Sequence, residues 1–207
     1  PISSRSIVFK AADLLKKADK GDIVSQKIFR IITPLIKFRA CRDVRKVAGD
    51  AMEIRGGLGY IEDWLDPKIL RDSHLGSIWE GTSNIISLYT IRALKKDNNL
   101  QIFKNFLIDS VKINSEKKYE KHLLSAIYDV FYFVENEVKE DFTSSSRQIT
   151  TSLYYLSSAI FLIEEGNYCE DLAYRTKISE LIIKYKIDKN SPITRDHIDY
   201  DLINNLI

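Results

Sequence analysis

The 207-residue sequence predicts an all-α protein, and three observations support this fold class. Apolar residues recur at intervals of three and four over long stretches. Only 8 Gly and 4 Pro interrupt the chain, so long helices are favoured. Alternation of apolar and polar residues never continues far enough for a typical β-strand. We expect the first half to form part of an up-down helical bundle, with a helical extension from the second half docked on it.

Spacing and helix-end residues together predict eight helices. Gly21 suits the end of the first helix, and Asp22 suits the N-cap of the second. Pro34 lies inside the second helix, where we expect a kink because the apolar pattern resumes in phase after it. The predicted helices span about residues 4–19, 23–55, 67–73, 83–96, 100–113, 116–140, 144–165 and 168–186.

Further caps and the core follow from residue type. A polar residue before an apolar-periodic stretch predicts an N-cap. The predicted caps are Asp66 (followed by Pro67), Thr82, Thr143 and Asn167 (with Glu170). The core is expected to contain the apolar stripe of the second helix and the aromatic residues of the second half. These residues are Ile28, Ile31, Ile32, Leu35, Phe38, Cys41, Val44, Val47, Ala48, Met52, Tyr128, Phe131, Tyr132, Phe133, Tyr154, Tyr155 and Phe161.

Charge is unevenly divided along the chain. Residues 1–97 carry 18 Lys and Arg against 12 Asp and Glu, whereas residues 98–207 carry 13 against 17. A polyanion is therefore expected to contact the first half rather than the second. We divide the chain at this change into a region of residues 1–97 and an additional helical region of residues 98–207.

The cysteines and the hydropathy of the chain indicate which cellular compartment to expect. Cys41 and Cys169 are isolated and predict neither a disulfide framework nor a metal site, so a reducing interior such as the cytoplasm or mitochondrial matrix is expected. No continuous apolar stretch is long enough for a transmembrane helix. The chain starts at Pro1 within a helical pattern, which suggests the back portion of a longer protein. The polar tail from Lys189 is expected to be weakly ordered.

Residues 56–84 are the stretch most able to carry chemistry. Glu80 precedes Gly81 in a link before a capped helix, where a carboxylate can act as a general base on a bound substrate. The alternative is an acid that only favours a helix N-terminus through the helix dipole. Gly56, Gly57 and Gly59 either end the long helix or offer backbone N–H groups to a phosphate or ribose.

Other chemistry receives less support. The glycine spacing is not a dinucleotide-binding fingerprint, because no strand precedes it. Arg71-Asp72 is interpreted as a structural ion pair or cap. The three histidines are too scattered to predict a metal site. Catalysis of the Ser-His-Asp or Cys-His kind has no supporting context.

Taken together, residues 50–60 (DAMEIRGGLGY), 70–72 (LRD) and 78–82 (IWEGT) resemble the C-terminal helical domain of flavin-dependent acyl-CoA dehydrogenases. Trp79 replaces the commoner Tyr, and Asn84 stands where Gln or Glu is usual. Both choices, with the extra helices after residue 100, are similar to the AidB-like branch of that family. The resemblance is specific over about residues 22–96.

The resemblance implies α,β-dehydrogenation of an acyl-CoA thioester, with FAD as hydride acceptor. It implies that Glu80 is the base that removes the α-proton, and that its backbone N–H binds the thioester carbonyl. Gly81 and Trp79 would contact the substrate. The residues implied in FAD contacts are Thr82 and Asn84, together with Glu53, Ile54, Arg55, Gly56 and Gly57 for the FAD of a neighbouring subunit.

The same resemblance implies partners. It implies a homodimer or homotetramer, and electron-transfer flavoprotein as the electron acceptor. The family's N-terminal helical domain and middle β-domain are not within these 207 residues, so the isolated chain is expected neither to oxidise acyl-CoA nor to hold FAD tightly.

Two alternatives remain open at this point. One is a DNA-associated flavoprotein like AidB, which the acidic residues 98–207 do not favour because phosphate binding needs clustered Lys and Arg. The other is an acyl-binding or scaffold protein with little catalytic activity.

Overall fold

The computed structural model describes residues 2–139, 144–169 and 172–187, and these residues are all-α as predicted. They form nine α-helices and a terminal π-helical segment, Ile183–Ile187. The α-helices in chain order are α1 Ile2–Ala18, α2 Ile23–Ile54, α3 Gly57–Tyr60, α4 Asp66–Leu75, α5 Ser83–Lys95, α6 Asn99–Asn114, α7 Lys117–Lys139, α8 Ser146–Tyr168 and α9 Leu172–Ile182.

The long helix α2 begins where the sequence predicts. Gly21 has a positive φ of 94° and ends the turn after α1. Asp22 is the N-cap, and its carboxylate accepts hydrogen bonds from the backbone N–H groups of Val24 and Ser25 at 2.9 and 3.2 Å. The helix continues through Pro34 to its end at Ile54, so the proline does not terminate it.

Helix α8 is buried on all sides and forms the centre of the core. Every residue from 153 to 163 is buried. Helices α1, α2, α5, α6, α7 and α9 all contact α8. One hydrophobic core therefore joins residues of both sequence regions, including Ile7, Ile28, Leu94, Phe103 and Leu156.

A half-buried polar network fixes α1 against α8. Lys10 Nζ contacts the carboxylate of Glu164 at 2.5 Å, and both side chains are less than one-fifth exposed. The hydroxyl of Ser6 donates to Glu165, which also pairs with Arg175 of α9 at 2.9 Å. Because each charge has a partner, these polar groups can be buried in the contact between α1, α8 and α9.

Parts of the predicted core are wrong. Val44 and Val47 in the second half of α2 are 44% and 51% exposed, although they continue the apolar stripe of this helix. Tyr128 and Tyr132 of α7 are exposed as well, whereas the neighbouring Phe131 is fully buried. The other stripe and aromatic residues are buried or half-buried.

Several predicted caps and pairs also need correction. Asn167 does not begin a helix: it lies inside α8 and its amide donates to the carbonyl of Asn114 at 2.9 Å. Asp66 is the first residue of α4 rather than its N-cap, and its carboxylate pairs with Arg55 at 3.4 Å. Arg71 pairs with Glu62 instead of its neighbour Asp72.

The structure does not test some of the predictions. The predicted cap Thr143, the acid Glu170 that was predicted to accompany Asn167, and the tail from Lys189 lie outside the described residues. The division of the chain after residue 97 also stays a prediction. Within the described residues, none of the helices combines the length and apolar character that a membrane span requires.

The N-cap of α2 predicts a specific pH dependence of stability. Hydrogen bonds from the Ser25 hydroxyl and from backbone N–H groups hold the pKa of Asp22 below its ordinary value near 3.8. A lowered folded-state pKa stabilises the fold above the unfolded-state pKa, and that contribution is lost as the pH falls through the folded-state value. Asn is as effective as Asp at a helix N-cap, but its side chain does not titrate. We expect Asp22→Asn to lose less unfolding free energy between pH 5 and pH 2 than the parent chain.

Urea denaturation at each pH measures this difference. Asp19→Asn, which changes an exposed acid in the preceding turn, is the matched control and should keep the parent's pH dependence. Equal acid sensitivity of the parent chain and Asp22→Asn would show that the cap does not carry this effect.

Candidate active site

The turn between α4 and α5 has an unusual backbone. Glu80 has a φ of 55° and Gly81 a φ of 110°. A side chain in the left-handed region is unfavourable by about 1–2 kcal/mol, and such strain is enriched at functional sites. The segment that sequence reasoning singled out is therefore also the place where the backbone is held in an uncommon conformation.

The polar groups of Glu80 are unpaired in the part of the chain that the structure describes. Its side chain is exposed, and neither its carboxylate nor its backbone N–H bonds to any other described residue. Trp79 beside it is 57% exposed. The carboxylate and the backbone donor of one residue are thus both open to a molecule placed against this turn.

Gly81 is required here for two reasons. Its φ is one that side chains rarely adopt. A Cβ atom on Gly81 would also lie 2.9 Å from Cδ1 of Ile86, which is buried in the first turns of α5. Because Gly81 has no side chain, the backbone of the turn can lie close to α5.

The N-terminus of α5 follows at once. Thr82 is its N-cap residue, but the Thr82 side chain makes no capping hydrogen bond, and the first turn contains no acid. Asn84 is exposed in that turn. The N–H groups of the first turn and the positive end of the helix dipole are therefore available to an anionic ligand.

Sequence reasoning missed an arginine cluster beside this helix end. Arg42 of α2 reaches the hydroxyl of Ser83 at 3.5 Å. Burial, and then repulsion from neighbouring Arg45 and Arg147, lowers the pKa of Arg42 from its ordinary value. Arginines at positions 39, 42 and 45 are spaced to share one side of a helix, which was the available clue.

The glycine cluster lies on a different turn, after α2. Arg55 is the C-cap residue of α2, and its side chain pairs with Asp66 and lies over the ring of Trp64 at 5.2 Å. Gly56 has a φ of 59° and precedes the short helix α3, which the sequence did not predict. Glu53 and Ile54 are exposed, as is Gly57.

The two turns are separated along α2. Gly76, which starts the turn after α4, lies against Cys41, so that a Cβ on Gly76 would be 3.3 Å from its sulfur. Cys41 precedes Gly56 by 15 residues, which is about 22 Å of helix at 1.5 Å per residue. Residues 53–57 and residues 79–84 therefore belong to two separate parts of the surface.

Over residues 2–139, 144–169 and 172–187, His, Cys, Asp and Glu side chains form no group of three that could hold a metal ion. The candidate site is therefore described by one carboxylate, backbone donors and an electropositive helix end.

Comparison with known proteins gives this geometry a family. Residues 2–94 match the family model described as Acyl-CoA dehydrogenase, C-terminal domain. This segment is therefore similar to the C-terminal domain of acyl-CoA dehydrogenases, and the expected resemblance is confirmed.

The relatives include the expected branch. Acyl-CoA dehydrogenase family member 11 of Caenorhabditis elegans is 32% identical over 120 residues, which are 57% of this chain and 19% of that protein. The protein AidB of Escherichia coli (strain K12) is 40% identical over 67 residues, which are 32% of this chain and 12% of AidB.

The similarity to a solved structure extends beyond residues 2–94, the segment that matches the family model. The crystal structure of Caenorhabditis elegans ACDH-11 in complex with C11-CoA matches 97% of this chain with a TM-score of 0.75 and 26% identity. The match covers 35% of that chain, so the present sequence spans only about a third of its length. The helical bundle of the acyl-CoA dehydrogenase type, with its additional helices, is thereby confirmed.

The glycine cluster yields a stability prediction with an internal control. A Cβ on Gly59 would overlap the backbone oxygen of Met52 in α2, whereas a Cβ on Gly57 would meet nothing within 4 Å. Gly59→Ala should therefore lower the free energy of unfolding by about 1–3 kcal/mol, as expected of overpacking against backbone. Gly57→Ala should be neutral or slightly stabilising.

Denaturant unfolding of the two variants measures the difference. Both substitutions add the same methyl group to the same short helix, so propensity alone predicts no difference between them. Equal stability of the two variants would contradict the close approach of α3 to the end of α2.

Proposed function

We propose that this chain is the part of a flavin-dependent acyl-CoA dehydrogenase that supplies the catalytic base, and that Glu80 is this base. The observation that carries the proposal is the exposed, unpaired carboxylate of Glu80 in a left-handed turn. Its position in the IWEGT segment, within residues that match the acyl-CoA dehydrogenase C-terminal domain, supports the same assignment.

The turn provides two functions at one residue. The carboxylate of Glu80 removes the α-proton of the acyl thioester, and the thioester lies against Gly81, where a side chain would obstruct it. The unpaired backbone N–H of Glu80 donates to the thioester carbonyl as negative charge develops on its oxygen. One such donor is typically worth about 3–4 kcal/mol of transition-state stabilisation. Trp79 forms a wall of the acyl site.

The residues at the N-terminus of α5 fit an anionic cofactor. The uncapped first turn, Thr82, Asn84 and the nearby Arg42 provide donors and positive charge for the diphosphate and ribose of FAD. When FAD is bound, it supplies the acceptor for the hydride that leaves the β-carbon. The protein residues hold this group beside the turn that carries Glu80.

The separate glycine turn supports a cofactor site shared between subunits. Gly56 lies about 22 Å of helix from Cys41, which is beside Gly76 at the start of the α4–α5 turn, so the two groups would contact different flavins or distant parts of one. We therefore assign Glu53, Ile54, Arg55, Gly56 and Gly57 to the FAD of a neighbouring subunit in a homodimer or homotetramer. Electron-transfer flavoprotein is the proposed electron acceptor.

The catalytic assignment is tested by the Glu80→Gln substitution in the full-length native protein that contains these residues. Loss of the carboxylate should lower kcat for acyl-CoA oxidation by about 10²- to 10⁴-fold, which is the usual contribution of general base catalysis. The KM should change little, because the amide preserves the size and backbone of the turn. Glu80→Asp should retain part of the activity.

Asp63→Asn is the matched control, since it removes an exposed, unpaired carboxylate from the loop before α4. Its turnover should equal that of the parent. Flavin absorbance of each variant confirms that the cofactor content is unchanged. Unchanged turnover in Glu80→Gln would contradict the assignment and favour an acyl-binding or scaffold role.

A further inference from the structure

A groove between α2 and α5 has a largely apolar lining. Its volume is about 530 Å³, which lies within the 300–1,000 Å³ range of small-molecule sites. Phe29 and Pro34 of α2 face Ile86 and Ala93 of α5 across it. Neither Glu80 nor Thr82 lines this groove, so it does not belong to the candidate active site.

Four cations surround the apolar lining. Arg30 and Lys37 stand two turns apart on α2, and Arg92 of α5 comes shortly before Lys96, the C-cap residue of that helix. Arg30 and Lys37 form no ion pair with any described residue, and Arg92 lies over the ring of Tyr89 at 5.5 Å. Lys96 has only a distant contact, 4.0 Å, with Asp97. Among the described residues, none of those that line the groove is an acid, so the charged side chains of its lining are all positive.

A buried polar atom lies at one end of the groove. Asn99 is 3% exposed, and its amide nitrogen donates to the carbonyl of Ala93 at 2.8 Å. Its Oδ1 has no hydrogen-bond partner. Asn99 therefore closes this end of the groove with a polar side chain that is held against α5.

We propose that the groove binds a single-chain amphiphilic anion, with its apolar chain between α2 and α5 and its carboxylate among the four cations. An apolar molecule alone would leave Arg30 and Lys37 without an anionic partner. A polyanion such as nucleic acid would match the cations but would not need an apolar lining. Only a ligand that carries both properties matches the whole groove.

The proposal is tested with dodecanoate, the isolated chain and isothermal titration calorimetry. Dodecanoate should bind with one site per chain and at least tenfold more tightly than dodecan-1-ol, because the alcohol lacks the charge. Butyrate should bind at least tenfold more weakly than dodecanoate, because its chain cannot fill the lining. Raising the salt concentration should weaken dodecanoate binding, since the cations are partly exposed.

Two variants locate the site. Arg92→Glu reverses one rim charge and should weaken dodecanoate binding at least tenfold. Thr33→Trp fills the groove from an exposed position on α2, and should abolish binding without removing a core residue. The controls are Lys16→Glu and Ala12→Trp on the exposed side of α1, which should bind dodecanoate as the parent does.

Several results would overturn the proposal. They are no binding of dodecanoate by the parent chain, equal affinity for dodecan-1-ol, and equal effects of the groove and control variants. Circular dichroism of each variant separates loss of binding from loss of fold. If Thr33→Trp unfolds, Lys37→Glu replaces it, and unchanged affinity of that variant contradicts the site.

Discussion

The burial of α8 is the constraint on which the rest of this structure depends. A helix whose central residues are buried on every side can be stable only when other helices surround it. Here the surrounding helices come from both halves of the chain. The fully buried Leu153, Tyr154 and Ile160 are therefore as important for the family segment as for the additional helices.

This packing fixes the elements that carry the candidate sites. Helices α2 and α5 both contact α8, and each contributes residues to the candidate active site and to the cationic groove. The hydrogen bond between Tyr154 and Ser4 at 2.8 Å, with the ion pair of Lys10 and Glu164, holds α1 in the same assembly. The strained turn at Glu80 joins α4, which packs on α2, to α5, which packs on both α2 and α8.

The sequence predicted helix positions well where local chemistry decides them. Asp22 and Gly21 fix the junction of α1 and α2 by capping and by a positive φ, and both effects are properties of a few neighbouring residues. The exposure of Val44 and Val47 was not predictable in this way, because it depends on which helices reach the second half of α2. Asn167 was misassigned because its amide found a distant partner, Asn114, instead of capping a helix.

The candidate site was likewise only partly predictable from the sequence. Residue types and order pointed to Glu80 and the glycine turns, but only the backbone shows that Glu80 is in the left-handed region. The contact of Arg42 with Ser83 joins residues 41 positions apart, which periodicity cannot reveal. The groove between α2 and α5 likewise joins residues of two helices that are not adjacent in the sequence.

Native-state hydrogen exchange measures most directly whether α8 joins the two halves into one core. If it does, the slowest amides of α2 and α5 and those of α8 should exchange with the same free energy of opening and the same dependence on denaturant. Opening of α8 at a clearly lower free energy, with α2 and α5 still protected, would contradict the dependence of the family segment on this helix.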